Sequence, residues 1–196
     1  NLCEIEVGSS GDVYVLNRKG HPSPDSAQSS DWLFRFTPSG DLLSRQKLED
    51  VGIIAPVALC ASRTSESLYM ASCLNEPDAE NTRVYRLDTS NPTAIIHAAT
   101  IKVENMGHVT DMTEDPEGNV WVIGFTMSHI PELVLGSNEY ALTPDGDPTL
   151  EAPFYEPRIA LIGPTDASAT ATPLHGPYEN NVDGLALPLS IVYVPE

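Results

Sequence analysis

Short runs of β-branched, aromatic and aliphatic residues recur along the chain, and clusters of Gly, Pro, Asp and Ser separate them. The spacing of three to four residues that is typical of an amphipathic helix is nearly absent. Runs of this kind between turn-forming residues predict an antiparallel all-β fold. The predicted strands are residues 3–7, 12–16, 32–37, 41–48, 57–61, 67–73, 83–88, 94–103, 109–113, 119–125, 158–162, 185–187 and 190–194.

Four of the predicted strands share a motif with an aromatic residue near its end, and the motif recurs at intervals of roughly 50 to 70 residues. The first two copies are followed by strands with a second shared pattern, in which Arg35 and Arg86 hold the same place. Repeating units of about 50 residues with four strands each predict the blades of a β-propeller. The aromatic residues of the motif are Tyr14, Tyr69, Trp121 and Tyr193.

One copy of this motif resembles a known family. Thr113-Glu-Asp-Pro-Glu-Gly-Asn-Val-Trp-Val122 is similar to the hairpin of six- and seven-bladed propellers of the NHL, YVTN and SMP-30 type. Three further stretches resemble uncharacterised secreted bacterial propeller proteins, which often carry a dockerin-like calcium module. The resemblance implies a propeller fold, but such a motif specifies fold rather than function. The stretches begin at Gly107, Pro153 and Leu185.

We expect one β-propeller domain over residues 1–196, with blades at about 1–52, 53–107 and 108–182 and an incomplete blade at 183–196. This count gives about three and a half four-stranded blades. We therefore expect the chain to be part of a larger ring, or to be closed by a second copy or another chain, because open sheet edges invite pairing.

Charge and composition narrow the classes of function. The 196 residues include 28 Asp and Glu against 10 Lys and Arg, for a net charge of −18. This balance argues against binding nucleic acid or an anionic membrane surface, since both would repel the chain. The hydrophobic fraction of 41% supplies enough apolar residues for a core. High acidity with few Lys suits an extracellular or cell-surface location.

Carboxylates recur ten residues before the aromatic residues of the motif. The positions are Glu4, Leu59, Asp111 and Asp183, so three of the four are acidic. In a propeller the first strand of each blade lines the central channel, and a ring of carboxylates there suits a hard cation such as Ca²⁺. The arrangement resembles the metal-holding mouth of SMP-30-like hydrolases, although Leu59 breaks the ring. The alternative is a solvated acidic mouth without metal.

Long connections between the second and third strands of each unit predict a binding face. They cover residues 17–31, 74–82 and 126–157, and connections of that size often serve function. The longest one offers side chains that suit stacking on a sugar ring or a partner chain, or that fill a gap between blades. These candidates are His129, Tyr140, Phe154 and Tyr155.

Three cysteines, Cys3, Cys60 and Cys73, leave at least one unpaired within the chain. Cys60 and Cys73 are close in sequence, and either a bridge between them or buried free thiols fits the pattern. His108 stands near Asp111 and suits a general base or ligand, or a hydrogen-bonded structural role. Asp145-Gly-Asp147 matches only a fragment of a calcium loop and fits a plain turn.

Two functions remain open at this stage. The first is a secreted, non-catalytic β-propeller segment that binds protein or polysaccharide through the face with the long connections. The second is a metal-assisted hydrolase or lyase that uses the carboxylate ring. We prefer the first, because the sequence has no G-x-S-x-G nucleophile motif and no residue that we assign to catalysis. Arg35 and Arg86 are expected to form ion pairs on the blade surface, which contribute little stability.

Overall fold

The computed structural model describes residues 2–18, 30–72, 81–127 and 155–173, and side chains within residues 4–18, 30–72, 81–126 and 157–173. This part of the chain is all-β apart from a short 3₁₀ helix at Leu48–Val51. No helix within it is long and apolar enough to cross a membrane. The strands are β1 (Leu2–Val7), β2 (Val13–Asn17), β3 (Trp32–Phe36), β4 (Leu42–Lys47), β5 (Pro56–Ala61), β6 (Ser67–Ser72), β7 (Asn81–Asp88), β8 (Ile96–Glu104), β9 (His108–Glu114), β10 (Val120–Met127), β11 (Tyr155–Ile162), β12 (Ser168–Thr170) and β13 (Thr172–Pro173).

The all-β prediction is confirmed. Every predicted strand within the described residues is present, with ends that differ by a few residues. The two predicted strands at 185–187 and 190–194 lie outside the described residues. β12, β13 and the 3₁₀ helix were not predicted, because they are short and lack a run of β-branched or aromatic residues.

The strands form three sheets, each an antiparallel meander along the chain. The first sheet has the order β1-β2-β3-β4, and the middle sheet contains β5-β6-β7-β8 in the same manner. The third sheet has the order β9-β10-β11-β13. β12 leaves this succession, because it pairs in parallel with β8 at the edge of the middle sheet. The edges of the middle and third sheets are therefore tied together by one short segment.

The three sheets stack with their first strands side by side. β5 lies against β1 on one side and against β9 on the other. One apolar core fills the space between the first and middle sheets, where Leu16, Leu33 and Met70 are fully buried. A second core, including Val122 and Ile162, joins the middle sheet to the third. Each such side chain contributes about 1.5–3 kcal/mol by burial, so these cores account for the stacking.

The turn after each first strand has a repeating hydrogen-bond pattern. The N–H of Gly8 donates to the carbonyl of Asp12 at 3.0 Å, and the N–H of Asp115 donates to that of Asn119 at 2.9 Å. In the middle sheet the N–H of Ser62 donates to the carbonyl of Ser67 at 2.9 Å, and this turn is one residue longer than the other two. Within the described residues the first sheet contacts the middle one and the middle sheet contacts the third, and no closed ring is formed.

Candidate functional site

The adjacent first strands bring three carboxylates into one region. Glu4 and Glu6 both lie on β1, and because side chains alternate along a strand, both face the same side. The N–H of Leu59 on β5 donates to the carboxylate of Glu4, and the N–H of Ala61 donates to that of Glu6. Asp111 on β9 is close enough to act electrostatically on both. We call Glu4, Glu6 and Asp111 the carboxylate cluster.

Burial shifts the pKa values of the two glutamates of this cluster. Loss of hydration raises the pKa of Glu4 to about 7, against the hydrogen bond from Leu59, and repulsion from Asp111 and Glu6 adds to the rise. Burial also raises the pKa of Glu6, and Asp111 contributes in the same direction. Oε2 of Glu4 is buried and has no hydrogen-bond partner among the described residues. A carboxyl group that titrates near neutrality suits proton transfer.

The predicted metal site is present only in part. Glu4 and Asp111 are brought together, but the third predicted ligand, Asp183, lies outside the described residues. Among the residues that are described, no group of three or more His, Cys, Asp or Glu side chains is arranged to hold a metal ion. Glu4 and Asp111 alone therefore do not fit a Ca²⁺ site, and the calcium prediction depends on Asp183.

The alignment of Leu59 with Glu4 and Asp111 was wrong by one residue. Glu4 lies opposite Leu16 and Asp111 opposite Ile123, whereas the corresponding residue of the middle sheet, opposite Ala71, is Ala58. The turn between Ser62 and Ser67 is one residue longer than its counterparts, which shifts the count. Because Ala58 is not acidic, the middle sheet still contributes no carboxylate at the position of Glu4 and Asp111.

Cys60 lies beside the carboxylate cluster as a buried free thiol. Burial raises its pKa, and the surrounding Glu6 and Glu114 carboxylates add to the rise. Because Cys60 is a free thiol, the predicted bridge from Cys60 to Cys73 is not formed. Cys73 itself lies outside the described residues.

His108 packs against an aromatic ring at the start of β9. Its imidazole stacks on Phe125, with ring centroids 4.8 Å apart and an angle of 19° between the planes. Burial lowers its pKa, which favours the neutral ring. β9 and β10 approach each other closely at this point. A Cβ on Gly124 would lie only 1.9 Å from the carbonyl oxygen of His108, so the position requires glycine. The structural role of His108 thus has contacts that support it.

The ends of the first strands are joined by polar contacts. Ser9 donates its N–H to the carbonyl of Ser62 at 3.1 Å and its hydroxyl to Glu66 at 3.1 Å. Glu114 accepts from the hydroxyl of Ser62 at 2.5 Å and from that of Thr64 at 2.9 Å. The turn of the middle sheet is therefore bound to both neighbouring sheets, and we call this side of the stack the stitched end.

Asp115 organises the turn of the third sheet. Its carboxylate accepts from the N–H of Asn119 at 2.8 Å, from the N–H of Glu117 at 3.1 Å and from Nε1 of Trp121 at 3.1 Å. Burial by itself would raise the pKa of Asp115, but these bonds and that of the Asn119 side chain lower it. The stretch 113–122, which resembles a propeller hairpin, therefore forms a turn that is held by hydrogen bonds among its own residues.

The predicted ion pair of Arg35 is present, with Asp12, but it is buried rather than on the surface. Arg35 is 3% exposed, and its guanidinium bonds to Asp12 and to the carbonyls of Thr89 and Asn91. It reaches those carbonyls because β3 faces the loop that follows β7 on the middle sheet. Arg86, at the equivalent position, donates to the carbonyl of Pro164 beside the third sheet.

The predicted binding residues cannot be placed as a group. His129, Tyr140 and Phe154 lie outside the described residues, as does Asp145-Gly-Asp147. Tyr155 is described only by its backbone, which opens β11 opposite Met127. The connections that hold these residues start where β2, β6 and β10 end, at Asn17, Ser72 and Met127.

Sequence reasoning missed Glu6 and Arg35 as members of buried networks. A signal existed for Glu6, because it stands two residues after Glu4 on a predicted strand and therefore shares its face. For Arg35 the sequence offered no such signal, because its backbone partners lie on the next sheet.

No protein-family model matches this chain, and no curated protein is significantly similar to it. Among solved structures, three mutants of Synechocystis apocarotenoid oxygenase match with TM-scores of 0.49, 0.48 and 0.46. Their sequence identities are 11%, 11% and 10%. Each match covers 88% of this chain and 38% of the oxygenase, so the chain spans well under half of that protein. Similarity at this level carries no argument about activity.

Proposed function

We propose that this chain is an arc of a secreted β-propeller that binds a polysaccharide or a protein without catalysis. Three antiparallel meanders with adjacent first strands support the propeller part of the proposal. The ring itself would need further sheets. The acidic net charge of −18 favours a neutral polysaccharide over an anionic one.

The contrast between the two ends of the stack is the observation on which the binding proposal rests. At the stitched end, short turns hydrogen-bond to one another across the sheets through Ser9, Ser62 and Glu114. Each second strand runs away from that end, so the connections after Asn17, Ser72 and Met127 all leave from the opposite end. We call this the loop end. A rigid scaffold that presents its long connections on one side suits a binding surface.

Affinity electrophoresis in gels with neutral polysaccharides tests the polysaccharide arm. We expect retardation of the chain in at least one gel, and loss of retardation when Tyr140, Phe154 and Tyr155 are all changed to Ala. Phe34→Ala is the matched control, because this aromatic residue lies on a sheet face rather than at the loop end. Equal mobility of all three proteins in every gel would contradict the polysaccharide arm and leave a protein partner.

A second candidate, a Ca²⁺-assisted hydrolase or lyase, is favoured by one observation. Oε2 of Glu4 is buried without a hydrogen-bond partner among the described residues, beside Asp111. Asp183 would have to complete the ligand set. Titration calorimetry with CaCl₂ tests it: we expect binding that Glu4→Gln and Asp111→Asn abolish and that the exposed Glu117→Gln leaves unchanged. Absence of heat exchange with the unaltered chain would remove this candidate.

A further inference from the structure

The segment that follows β11 and contains β12 and β13 is rich in small residues with a hydroxyl group. Residues 163–173 read Gly-Pro-Thr-Asp-Ala-Ser-Ala-Thr-Ala-Thr-Pro, so four of the eleven are Ser or Thr, and a proline stands near each end. Tracts of Ser and Thr with Pro are typical of O-glycosylated chains. We call residues 163–173 the hydroxyl segment.

The structure separates the hydroxyl segment into an inner and an outer side. Ala171 is buried, and Ala169 packs half-buried against the core between the middle and third sheets. Ser168, Thr170 and Thr172 alternate with these alanines and are exposed. Because side chains alternate along an extended chain, the methyl groups of the alanines face the core and the hydroxyl groups face outwards.

The place of this segment in the stack does not depend on further sheets. β12 contacts β8 of the middle sheet and β11 of the third, and these two sheets already pack on each other. β8 is also the strand of its meander that lies furthest from the first strand, β5. The hydroxyl segment therefore lies at the outer margin of the junction between two sheets, and a sheet stacked on the far side of the first or third sheet would not lie over it.

The outward hydroxyl groups also differ from other exposed hydroxyl groups in their hydrogen bonds. Within the described parts of the chain, the side chains of Thr165, Ser168 and Thr170 have no hydrogen-bond partner. The exposed hydroxyl of Thr93, by contrast, donates to Oδ1 of Asn91 at 2.9 Å, and hydroxyl groups on other turns and strands are bonded in the same way. A substituent on a bonded hydroxyl would remove its donor, whereas one on the hydroxyl segment breaks no contact.

Charge favours a neutral substituent over a phosphate at this place. Thr170 pairs with Glu104 on β8, and Asp166 lies within the segment itself. Lys102, which pairs with Ser168, is already bonded to Glu104 at 3.2 Å. Since the chain has a net charge of −18, a phosphate here would add repulsion between like charges, and a sugar would not.

We infer that the hydroxyl segment is a site of O-glycosylation, which takes a neutral monosaccharide on Thr165, Ser168 or Thr170. A glycosyltransferase carries out the transfer from a nucleotide sugar: the hydroxyl oxygen bonds to the anomeric carbon, and the bond from that carbon to the diphosphate breaks. The hydroxyl proton passes to a base, the nucleoside diphosphate leaves, and nothing is oxidised or reduced. The inference takes only the secreted location from the proposed function, and not the ligand.

Enzymatic glycosylation of the folded chain tests the inference. Unglycosylated chain is incubated with UDP-N-acetylgalactosamine and a polypeptide N-acetylgalactosaminyltransferase, and is then digested and analysed by mass spectrometry. Trypsin cleaves after Arg158, and no Lys or Arg follows up to Glu196, so one peptide contains the whole hydroxyl segment. We expect this peptide to gain at least one N-acetylhexosamine, which fragmentation locates within the segment. The tryptic peptide of residues 87–102, in which Thr93 directly follows a proline, is the internal control and should remain unmodified.

A triple variant with Thr165→Ala, Ser168→Ala and Thr170→Ala should lose the modification completely and keep its circular dichroism spectrum, because these hydroxyl groups make no contact that folding needs. Thr93→Ala is the matched control and should be modified like the unaltered chain. Equal modification of residues 87–102 would overturn the inference, and so would modification of the segment only as a free peptide, or no modification at all. Gel retardation of the unglycosylated chain tests the proposed binding separately, so failure of one proposal is distinguishable from failure of the other.

Discussion

Nη2 of Arg35 lies 2.6 Å from Oδ2 of Asp12 within the first sheet, and the same guanidinium bonds to the carbonyl of Thr89 on the middle sheet. The guanidinium also lies over the ring of Tyr14, 5.5 Å from its centroid. One side chain therefore satisfies a buried carboxylate and joins two sheets. Its removal would leave the Asp12 charge without its partner in a dry environment.

Arg35→Met is expected to lower the free energy of unfolding by about 3–5 kcal/mol, because it breaks a buried ion pair and orphans a carbonyl. Arg86→Met, at the equivalent but less buried position, should cost about 1 kcal/mol. Urea denaturation measures both. The double variant Asp12→Leu with Arg35→Met should be more stable than Arg35→Met alone. Equal losses for the two arginine variants would refute the assignment.

Stability should fall with rising pH through the titration of Glu4. Its pKa in the folded chain, about 7, lies above the ordinary value of 4.5, so the folded state binds the proton more tightly. Its contribution is complete below pH 4.5 and is lost as the pH rises through about 7. Glu4→Gln should gain about 1–2 kcal/mol at pH 8, allowing for screening by water, and nothing at pH 4.

The control for this pH effect is Glu117→Gln, at an exposed carboxylate of the third-sheet turn. Chemical denaturation from pH 4 to pH 8 should give curves for Glu117→Gln and the unaltered chain that run in parallel. A Glu4→Gln curve parallel to them would show that Glu4 does not titrate differently in the folded and unfolded states.

Asp115→Ala should cost about 2–3 kcal/mol, since the turn loses bonds to two backbone N–H groups and to Trp121. Asp166→Ala removes the carboxylate of an exposed turn that bonds to Gly163, and should cost under about 1 kcal/mol. Thermal unfolding compares the two. Because the pKa of Asp115 is lowered, its contribution is present above pH 3.8 and is lost in more acidic solution. Similar costs for both would argue against the network.

The thiol of Cys60 should resist alkylation until the chain unfolds. It is buried and its raised pKa disfavours the reactive thiolate. A variant with Cys3→Ser and Cys73→Ser isolates this group for titration with Ellman's reagent. We expect slow reaction in buffer and rapid reaction in urea. Rapid reaction of the folded chain would show that the neighbourhood of β5 opens to solvent.

The strands were accessible to sequence reasoning because each apolar run lies between turn-forming residues. The aromatic motif also placed Tyr14, Tyr69 and Trp121 correctly, since each lies opposite the equivalent residue of the next strand. β12 was not predicted, because Ser168–Thr170 has no apolar run and forms a strand only through its pairing with β8.

The candidate site was harder to predict, since it depends on contacts between sheets. Arg35 is buried because a carbonyl from residue 89 meets it, which no local pattern reveals. Ala58 replaced Leu59 because one additional turn residue shifted the register of β5. The sequence predicted that Glu4 and Asp111 lie close together only because the repeated aromatic motif assigned both to the first strand of a unit.

The parallel pairing of Ser168 with Lys102 constrains the order of assembly. β8 and β12 are distant in sequence, and parallel strands cannot be joined by a tight turn. β12 can dock only after the four-stranded meander of β5 to β8 presents its edge, and after β11 has brought the chain into reach. Closing so large a loop is entropically costly, so this contact should form late in refolding.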